Sequence, residues 1–288
     1  MTLPRILIIG ANGAVGRSVL QQLLSLLQPP QIRVSTRNMA TSNFPPAVEV
    51  VQGDLSDTAS YPRLFTGVDR AFLYSTPEAP LAQLFSAAKD HGVQHITLLS
   101  SLAIESDPDG LIGAAQRKVE SAIETSGLSS TFLRAGNFSS NTSLFWLPQV
   151  EKMGKIWMAY PHAKSAPVAE FDIAATAVVA LTKDKLINQA VALTGPSCKT
   201  HQELIEAINR VRQREGKQPF IWDAVSPGAW KEKTTGFLPP DLQDQLLAFW
   251  EAGERELPVV QSSEAVTGKP SQLFDEWLEC NKDTFLKY

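Results

Sequence analysis

Ile6-Leu7-Ile8-Ile9-Gly10-Ala11-Asn12-Gly13-Ala14-Val15-Gly16-Arg17 is the stretch that decides the fold. Four apolar residues, three of them β-branched, read as a short buried strand. The spacing then changes: Val15, Val19, Leu20, Leu23, Leu24 and Leu27 recur at helical intervals, which predicts a helix over 14–27, closed by Pro29-Pro30. Between strand and helix lie Gly10, Gly13 and Gly16, a G-x-x-G-x-x-G pattern. A chain that must turn sharply, bring its backbone close to a diphosphate and pack a helix tightly on a strand has no room for side chains at those three points. The helix start then offers free N–H groups and a partial positive charge to the phosphates. Gly10, Asn12, Gly13, Ala14, Val15, Gly16 and Arg17 are therefore candidate cofactor-binding residues. The alternative is a tight strand–helix turn that holds no ligand.

Outward from that stretch, strands are expected at 32–36, 48–51, 70–74, 96–100 and 130–134, with helices at 79–91 and 112–125. Alternation of this kind implies right-handed βαβ units and a parallel sheet. Beyond about residue 137 the rhythm changes. Helices are expected at 141–154, 173–181 (capped by Asp172), 200–214, 239–256 and 271–285, with short strands at 155–158 and 190–193. Thr200 and Glu203 have capping-box spacing. The predicted fold class is α/β: a Rossmann-like doubly wound parallel sheet with a smaller, mostly helical C-terminal substrate-binding region. Residues 1–140 form the dinucleotide-binding domain, its sheet completed by segments up to about 195. Residues 141–288 are mainly the substrate cap, which carries all six tryptophans. Most of those belong in a core; a minority could line a pocket for a flat apolar ligand.

The end of the second strand distinguishes between dinucleotides. An NAD site places a carboxylate there for the ribose hydroxyls. This chain has Ser35-Thr36-Arg37-Asn38 instead. Arg37 can pair with a 2′-phosphate and stack on adenine, and Arg17 is a second phosphate partner, so the expected cofactor is NADPH/NADP+. Asp54 and Leu55 follow the third strand, where Asp54 either accepts from the adenine amine or simply forms the turn. Ser75, Thr76 and Pro77 follow the fourth strand, at the carboxyl ends where open α/β sheets bind ligands.

Composition bounds the rest. The 288 residues are 43% hydrophobic and 19% charged, an ordinary globular balance. With 26 Lys plus Arg against 30 Asp plus Glu the net charge is −4, which disfavours nucleic acid and anionic membrane as partners. Two cysteines make no disulfide framework, and no run is long and apolar enough to span a bilayer, so a cytosolic protein is expected. The four histidines lack ligand spacing, so no metal is expected. The partner is a small-molecule substrate; monomer and homodimer both remain open.

The chain resembles the NmrA-like branch of the atypical short-chain dehydrogenases over nearly its whole length. The resemblance rests on Gly10–Arg17, Arg37, Gly53-Asp54-Leu55, Leu98–Ser101, Glu120, Ser126-Gly127-Leu128, the stretch from Thr131 to Phe138, Phe171-Asp172-Ile173-Ala174, and Val266–Pro270 ahead of Phe274. Fungal ergot-alkaloid iminium reductases are one similar set. The group also includes quinone and enone reductases, and regulators that bind NADP without catalysis. The resemblance implies a Ser–Tyr–Lys arrangement that this chain only partly keeps. Ser100 and Ser101 stand at the serine position, Ser100 beside the cofactor and Ser101 toward substrate or capping the strand end. The Tyr-x-x-x-Lys pair is absent: spacing back from Glu120 puts Ile112 and Gln116 there, and a register two residues on gives Ala114 and Lys118. Gly136, Asn137 and Phe138 are implied to wall the nicotinamide.

Without that acid, reduction of a plain ketone lacks a proton source, whereas an iminium carbon needs none, because hydride neutralises it. The expected function is thus NADPH-dependent reduction of an imine or iminium in a small, heteroaromatic, alkaloid-like intermediate, with room for the enzyme to guide its cyclisation. Gln116, Ser101 and Lys118 are the candidate catalytic residues. The alternatives are a redox-sensing regulator and a quinone or enone reductase.

Overall fold

A computed structural model describes residues 4–41, 43–74 and 76–288. In chain order its elements are β1 (Ile6–Ile8), α1 (Ala14–Leu24), β2 (Ile32–Thr36), β3 (Glu49–Gln52), α2 (Tyr61–Phe65), β4 (Arg70–Tyr74), α3 (Leu81–Asp90), β5 (His95–Ser101), α4 (Ala103–Ser106), α5 (Leu111–Ser126) and β6 (Ser129–Ala135). There follow α6 (Asn141–Met153), β7 (Ile156–Met158), β8 (Lys164–Ser165), α7 (Glu170–Thr182), β9 (Gln189–Leu193), β10 (Lys199–Thr200), α8 (His201–Arg214), β11 (Trp222–Ala224), α9 (Pro227–Thr234), α10 (Pro240–Arg255), α11 (Glu264–Thr267) and α12 (Phe274–Leu286). The chain divides into two compact units. The first runs to Ala135 and regains Glu170–Leu193 and Ser263–Lys269; the second holds Gly136–Ala169, Thr194–Ser262 and Pro270–Tyr288.

The first unit is a Rossmann-like α/β fold. Its seven strands lie in the order β3-β2-β1-β4-β5-β6-β9, and every pairing is parallel. A parallel sheet is covered on both faces, so its strands read as continuous apolar runs. Alternate residues serve alternate faces: Leu7 and Ile9 join Leu64, Phe65, Leu84, Phe85, Val119 and Ile123 under α2, α3 and α5. On the other face α1 packs against α7. Strand order reverses between β1 and β4, the switch point where such sheets bind ligands. The 14–27 helix stops early, at Leu24. Ser25 caps it, its hydroxyl bonding the Gln22 carbonyl, and Leu27 beyond it is exposed. The apolar spacing thus outlasts the surface available to bury it. Asp172 is not a cap either: α7 begins at Glu170, and Asp172 is buried in its first turn.

The second unit is mainly helical, with two short two-stranded pairings, β8–β10 and β7–β11. Trp146, Ile156, Met158, Ile205, Ile208, Phe220, Phe274, Trp277 and Phe285 form its main core. The Thr200–Glu203 capping box is present in both directions. Arg212 lies over the Phe220 ring at 3.8 Å and donates to the carbonyls of Gln218, Phe285 and Tyr288, fastening the C-terminal helix. α9 and β11 were not expected, although Ser226 followed by Pro227 is a helix-start signal that the structure uses: Ser226 Oγ accepts from Ala229 N–H. Among the described residues no helix is long and apolar enough to cross a membrane.

Each unit buries one histidine. His95 bonds Ser129 and Thr131 through its two ring nitrogens, at 2.7 and 3.1 Å. His201 sits edge-on to Trp146 and Trp250. Burial pulls both pKa values down to about 4. The unfolded chain, with ordinary histidines near 6.5, then takes up protons first as pH falls. Stability present above pH 6.5 is lost between 6.5 and 4, about 2 kcal/mol from each histidine by pH 4.5. Urea unfolding at pH 7.5 and 4.5 should show this drop, and His201→Phe should flatten its share; an equal pH slope in that variant refutes the assignment.

Candidate active site

The glycine turn is built as its sequence requires. Gly10 takes φ +81°, a left-handed conformation, and a Cβ on it would fall 2.8 Å from the ring of Tyr74, the last residue of β4. Gly13 N–H donates to Gly10 O at 2.9 Å, closing the turn, and Gly13 is the N-cap of α1 with no side chain capping the helix. Gly16 is the tightest point: a Cβ there would stand 2.2 Å from Gly10 O. Backbone packs on backbone, while Asn12, Gly13 and Ala14 are left exposed at the helix start. No acidic residue lies in the first turn of α1 to compete with a ligand anion. Arg17 is exposed, its guanidinium donating to Asn12 O at 3.2 Å.

Beside the turn, β2 ends at Thr36, whose Oγ1 bonds the backbone of Asn38 and leaves Arg37 exposed. Among the described residues Arg37 forms no ion pair. The Asp54 carboxylate accepts from the backbone and hydroxyl of Ser56, bonds that hold its pKa below the ordinary value, with the Arg37 charge adding to the effect. So Asp54 forms the turn after β3 and stays ionised beside Arg37. The Leu55 side chain is buried in the sheet core. The turn thus combines a glycine at 16 with no room for a Cβ, helix N–H groups that no side chain caps, and an exposed cation one strand over, a chemistry suited to an anion.

Across the switch point, Ser75 lies outside the described residues. Thr76 and Pro77 follow it, and Pro77 O accepts from Lys118 Nζ at 2.7 Å. Lys118 is thereby committed to tying α5 to the β4–α3 loop. Ser100 Oγ donates to Glu120 Oε1 at 2.6 Å and is buried, so its hydroxyl serves the fold. Ser101 Oγ accepts from Ala103 N–H at 3.1 Å, capping the strand end. Gln116 differs from these: its buried amide oxygen has no hydrogen-bond partner among the described residues. Gly113, one turn earlier, packs so closely on the preceding loop that a Cβ would lie 2.0 Å from Asp107 O, which fixes this end of α5.

Gly136, Asn137 and Phe138 follow β6 in the chain and belong to the second unit. There Asn137 Nδ2 donates to Ser165 Oγ and its Oδ1 accepts from Asn141 Nδ2, while Phe138 bridges to Val168. Among the tryptophans, Trp146, Trp230 and Trp277 are buried, whereas Trp157, Trp222 and Trp250 keep part of their surface. A cavity of about 560 Å³, lined by Glu124, Gly127, Ser130, Asn188 and Gln189 among others, opens by the amino ends of β6 and β9. That is the opposite end of the strands from the glycine turn. No group of three potential metal ligands occurs among the described residues.

These features are those of a recognised class. The chain belongs to the NmrA-like family, whose model matches residues 3–227. It is similar to the (4-alkanoyl-5-oxo-2,5-dihydrofuran-3-yl)methyl phosphate reductase of Streptomyces griseus, with 32% identity over 97% of this chain and 99% of that one. It is also similar to the NAD(P)H azoreductase of Xenophilus azovorans, with 27% identity over 97% and 99%. Among solved structures, the triphenylmethane reductase of Citrobacter sp. complexed with NADP(H) superposes with a TM-score of 0.75 at 22% identity, covering 96% of this chain and 99% of that one.

Proposed function

We propose that this protein is an NADPH-dependent reductase of a small conjugated molecule, with an iminium carbon the acceptor its chemistry serves best. The observation that carries the reading is the face α5 presents. Where a carbonyl-reducing short-chain dehydrogenase has tyrosine and lysine, this helix has Ile112 and Gln116, and Lys118 is engaged with Pro77. Along the described residues of α5, no phenol–ammonium pair stands ready to protonate an alkoxide. The unsatisfied Gln116 amide suits a ribose hydroxyl or a substrate N–H, because a buried polar atom without a partner costs about 1–3 kcal/mol until one arrives. Gly10, Gly13, Gly16 and the α1 start would hold the diphosphate, and Arg37 the 2′-phosphate. Bound there, NADPH supplies the hydride. Oxo-dihydrofurans and azo groups, named for the two relatives, are conjugated acceptors too, which supports the broader class. The partly exposed Trp157, Trp222 and Trp250 suit a planar, heteroaromatic substrate.

The deciding experiment follows the absorbance of reduced nicotinamide while the protein meets cyclic imines, quinones, enones and azo compounds. Turnover fastest with imines supports the full reading; turnover of the others alone keeps the reductase and discards the iminium. Binding of NADPH with no turnover of any compound refutes the reductase in favour of a regulator. Arg37→Asp tests the cofactor preference. NADPH affinity should fall about tenfold or more, with NADH affinity unchanged or raised, since a charge-assisted phosphate contact becomes a repulsion. Calorimetry with both coenzymes reads this, and an unaltered ratio refutes the role given to Arg37.

A further inference from the structure

We propose that Tyr74 is a binding residue for the dinucleotide, holding its nicotinamide-side ribose–phosphate through the phenol while its ring backs the glycine turn. The proposal rests on the dinucleotide reading above and deepens it.

Three observations converge on this side chain. The first is its place. Strand order puts β2 and β3 on one side of β1 and β4 on the other. Arg37 and Asp54 follow β2 and β3, so an adenosine 2′-phosphate held by Arg37 lies on that side. Adjacent strands are about 4.8 Å apart, so a dinucleotide crossing β1 must run its other half over the end of β4. Tyr74 is the residue at that end.

The second is its contact. A Cβ on Gly10 would fall 2.8 Å from Tyr74 Cδ1 and 3.1 Å from Cε1, so the ring edge lies along the Gly10 backbone. Gly10 is the left-handed hinge of the turn. The aromatic ring is therefore the wall on which the diphosphate loop leans, and Gly10 must be glycine for that reason as well as for its φ.

The third is exposure. Ala71, Phe72 and Leu73 are buried, yet Tyr74 keeps 42% of its surface open. Its hydroxyl has no hydrogen-bond partner among the described residues. An aromatic ring with a free phenol, open at the mouth of an anion-binding turn, can donate to a phosphate or ribose oxygen, and a hydrogen bond to a charged acceptor is among the stronger ones.

The test compares two ligands by titration calorimetry: NADPH, and adenosine 2′,5′-bisphosphate, which carries the 2′-phosphate but no nicotinamide half. Tyr74→Phe, which keeps the ring and its packing on Gly10, should weaken NADPH binding several-fold and leave the bisphosphate within about twofold, whereas Tyr74→Ala, which also removes the wall behind the turn, should weaken NADPH about tenfold and the bisphosphate, through its 5′-phosphate, less. Arg37→Ala should weaken both ligands alike. If Tyr74→Phe binds NADPH as the unaltered protein does, or if it loses both ligands equally, the assignment is overturned while the dinucleotide reading stands. If the unaltered protein binds neither ligand, both fall together.

Discussion

Gly16→Ala should bind NADPH at least about a hundredfold more weakly than the unaltered protein and unfold about 2 kcal/mol more easily. The added Cβ would come to 2.2 Å from Gly10 O, 2.7 Å from Gly10 C and 3.1 Å from Ala11 Cα. All three are backbone atoms, so no side chain can swing aside. Either the start of α1 lifts or the turn opens. The helix is anchored further along by Val19, Leu20 and Leu23, which are buried against the sheet, so the fold survives while the N–H groups of the first turn lose their aim. The other two glycines predict a gradient. At Gly13 a Cβ would meet Gly10 O at 3.3 Å, tight but tolerable, and its φ of −77° suits any residue. Gly13→Ala should therefore lose several-fold less than Gly16→Ala. Calorimetry with NADPH and urea unfolding measure both effects. Equal, small losses at Gly13 and Gly16 would show that the close packing at Gly16 is not what shapes the phosphate cradle.

The parts of this site that could be read from sequence are those whose demands are local. Each glycine of the turn answers a backbone constraint within six residues, and Arg37 declares itself by standing at a strand end where a carboxylate is otherwise needed. Tyr74 gave no such signal. Its meaning comes from β4 lying beside β1, a pairing between distant segments that no short window reveals. The choice between Gln116 and Lys118 shows the same limit. Two residues on a helix point roughly 200° apart, so a register ambiguity of two sends one inward and the other to the surface. The structure places a Gln116 amide atom in the interior and Lys118 on Pro77. Ser100 and Leu55 both stand near strand ends, where the Ser100 hydroxyl bonds Glu120 and the Leu55 side chain joins the core. Position after a strand end does not say which way a side chain turns. The return of the chain to the sheet near 190–193 is legible in the sequence, but the extent of the segment that rejoins the first unit is not. β9 completes the sheet only because β6 offers it an edge, so Glu170–Leu193 rejoins the first unit after an excursion through the second.

The second large effect concerns Glu120, which orders the carboxyl ends of β5 and β6. It is only 4% exposed. Its carboxylate accepts from Ser100 Oγ at 2.6 Å and from Arg134 Nε and Nη2 at 3.2 and 2.7 Å, while Arg134 Nη1 reaches Glu105 at 2.9 Å. The hydrogen bond to Glu120 holds the Arg134 pKa above its ordinary value, so the guanidinium stays charged throughout the working range. Removing the carboxylate leaves that charge with the more exposed Glu105 alone, and strands the Ser100 hydroxyl in the interior. Breaking a buried pair from one side is costly because the surviving charge is left desolvated, and Glu120→Ala should lose about 3 kcal/mol of unfolding free energy. Glu120→Gln, which keeps the shape and one good acceptor, should lose roughly half as much. Added salt should restore neither, since burial shields the network from screening. The effect should also reach the site. Gln116 lies one turn before Glu120 on the same face of α5, so a helix loosened at Glu120 misplaces the Gln116 amide. In the proposed reductase, kcat should then fall in Glu120→Ala with little change in NADPH affinity, because the glycine turn is carried by α1. Urea unfolding followed by tryptophan fluorescence, with steady-state kinetics on the same samples, separates the two consequences. A stability loss below about 1 kcal/mol in Glu120→Ala would mean that water or Glu105 replaces the pair, and the ordering role would have to be given up.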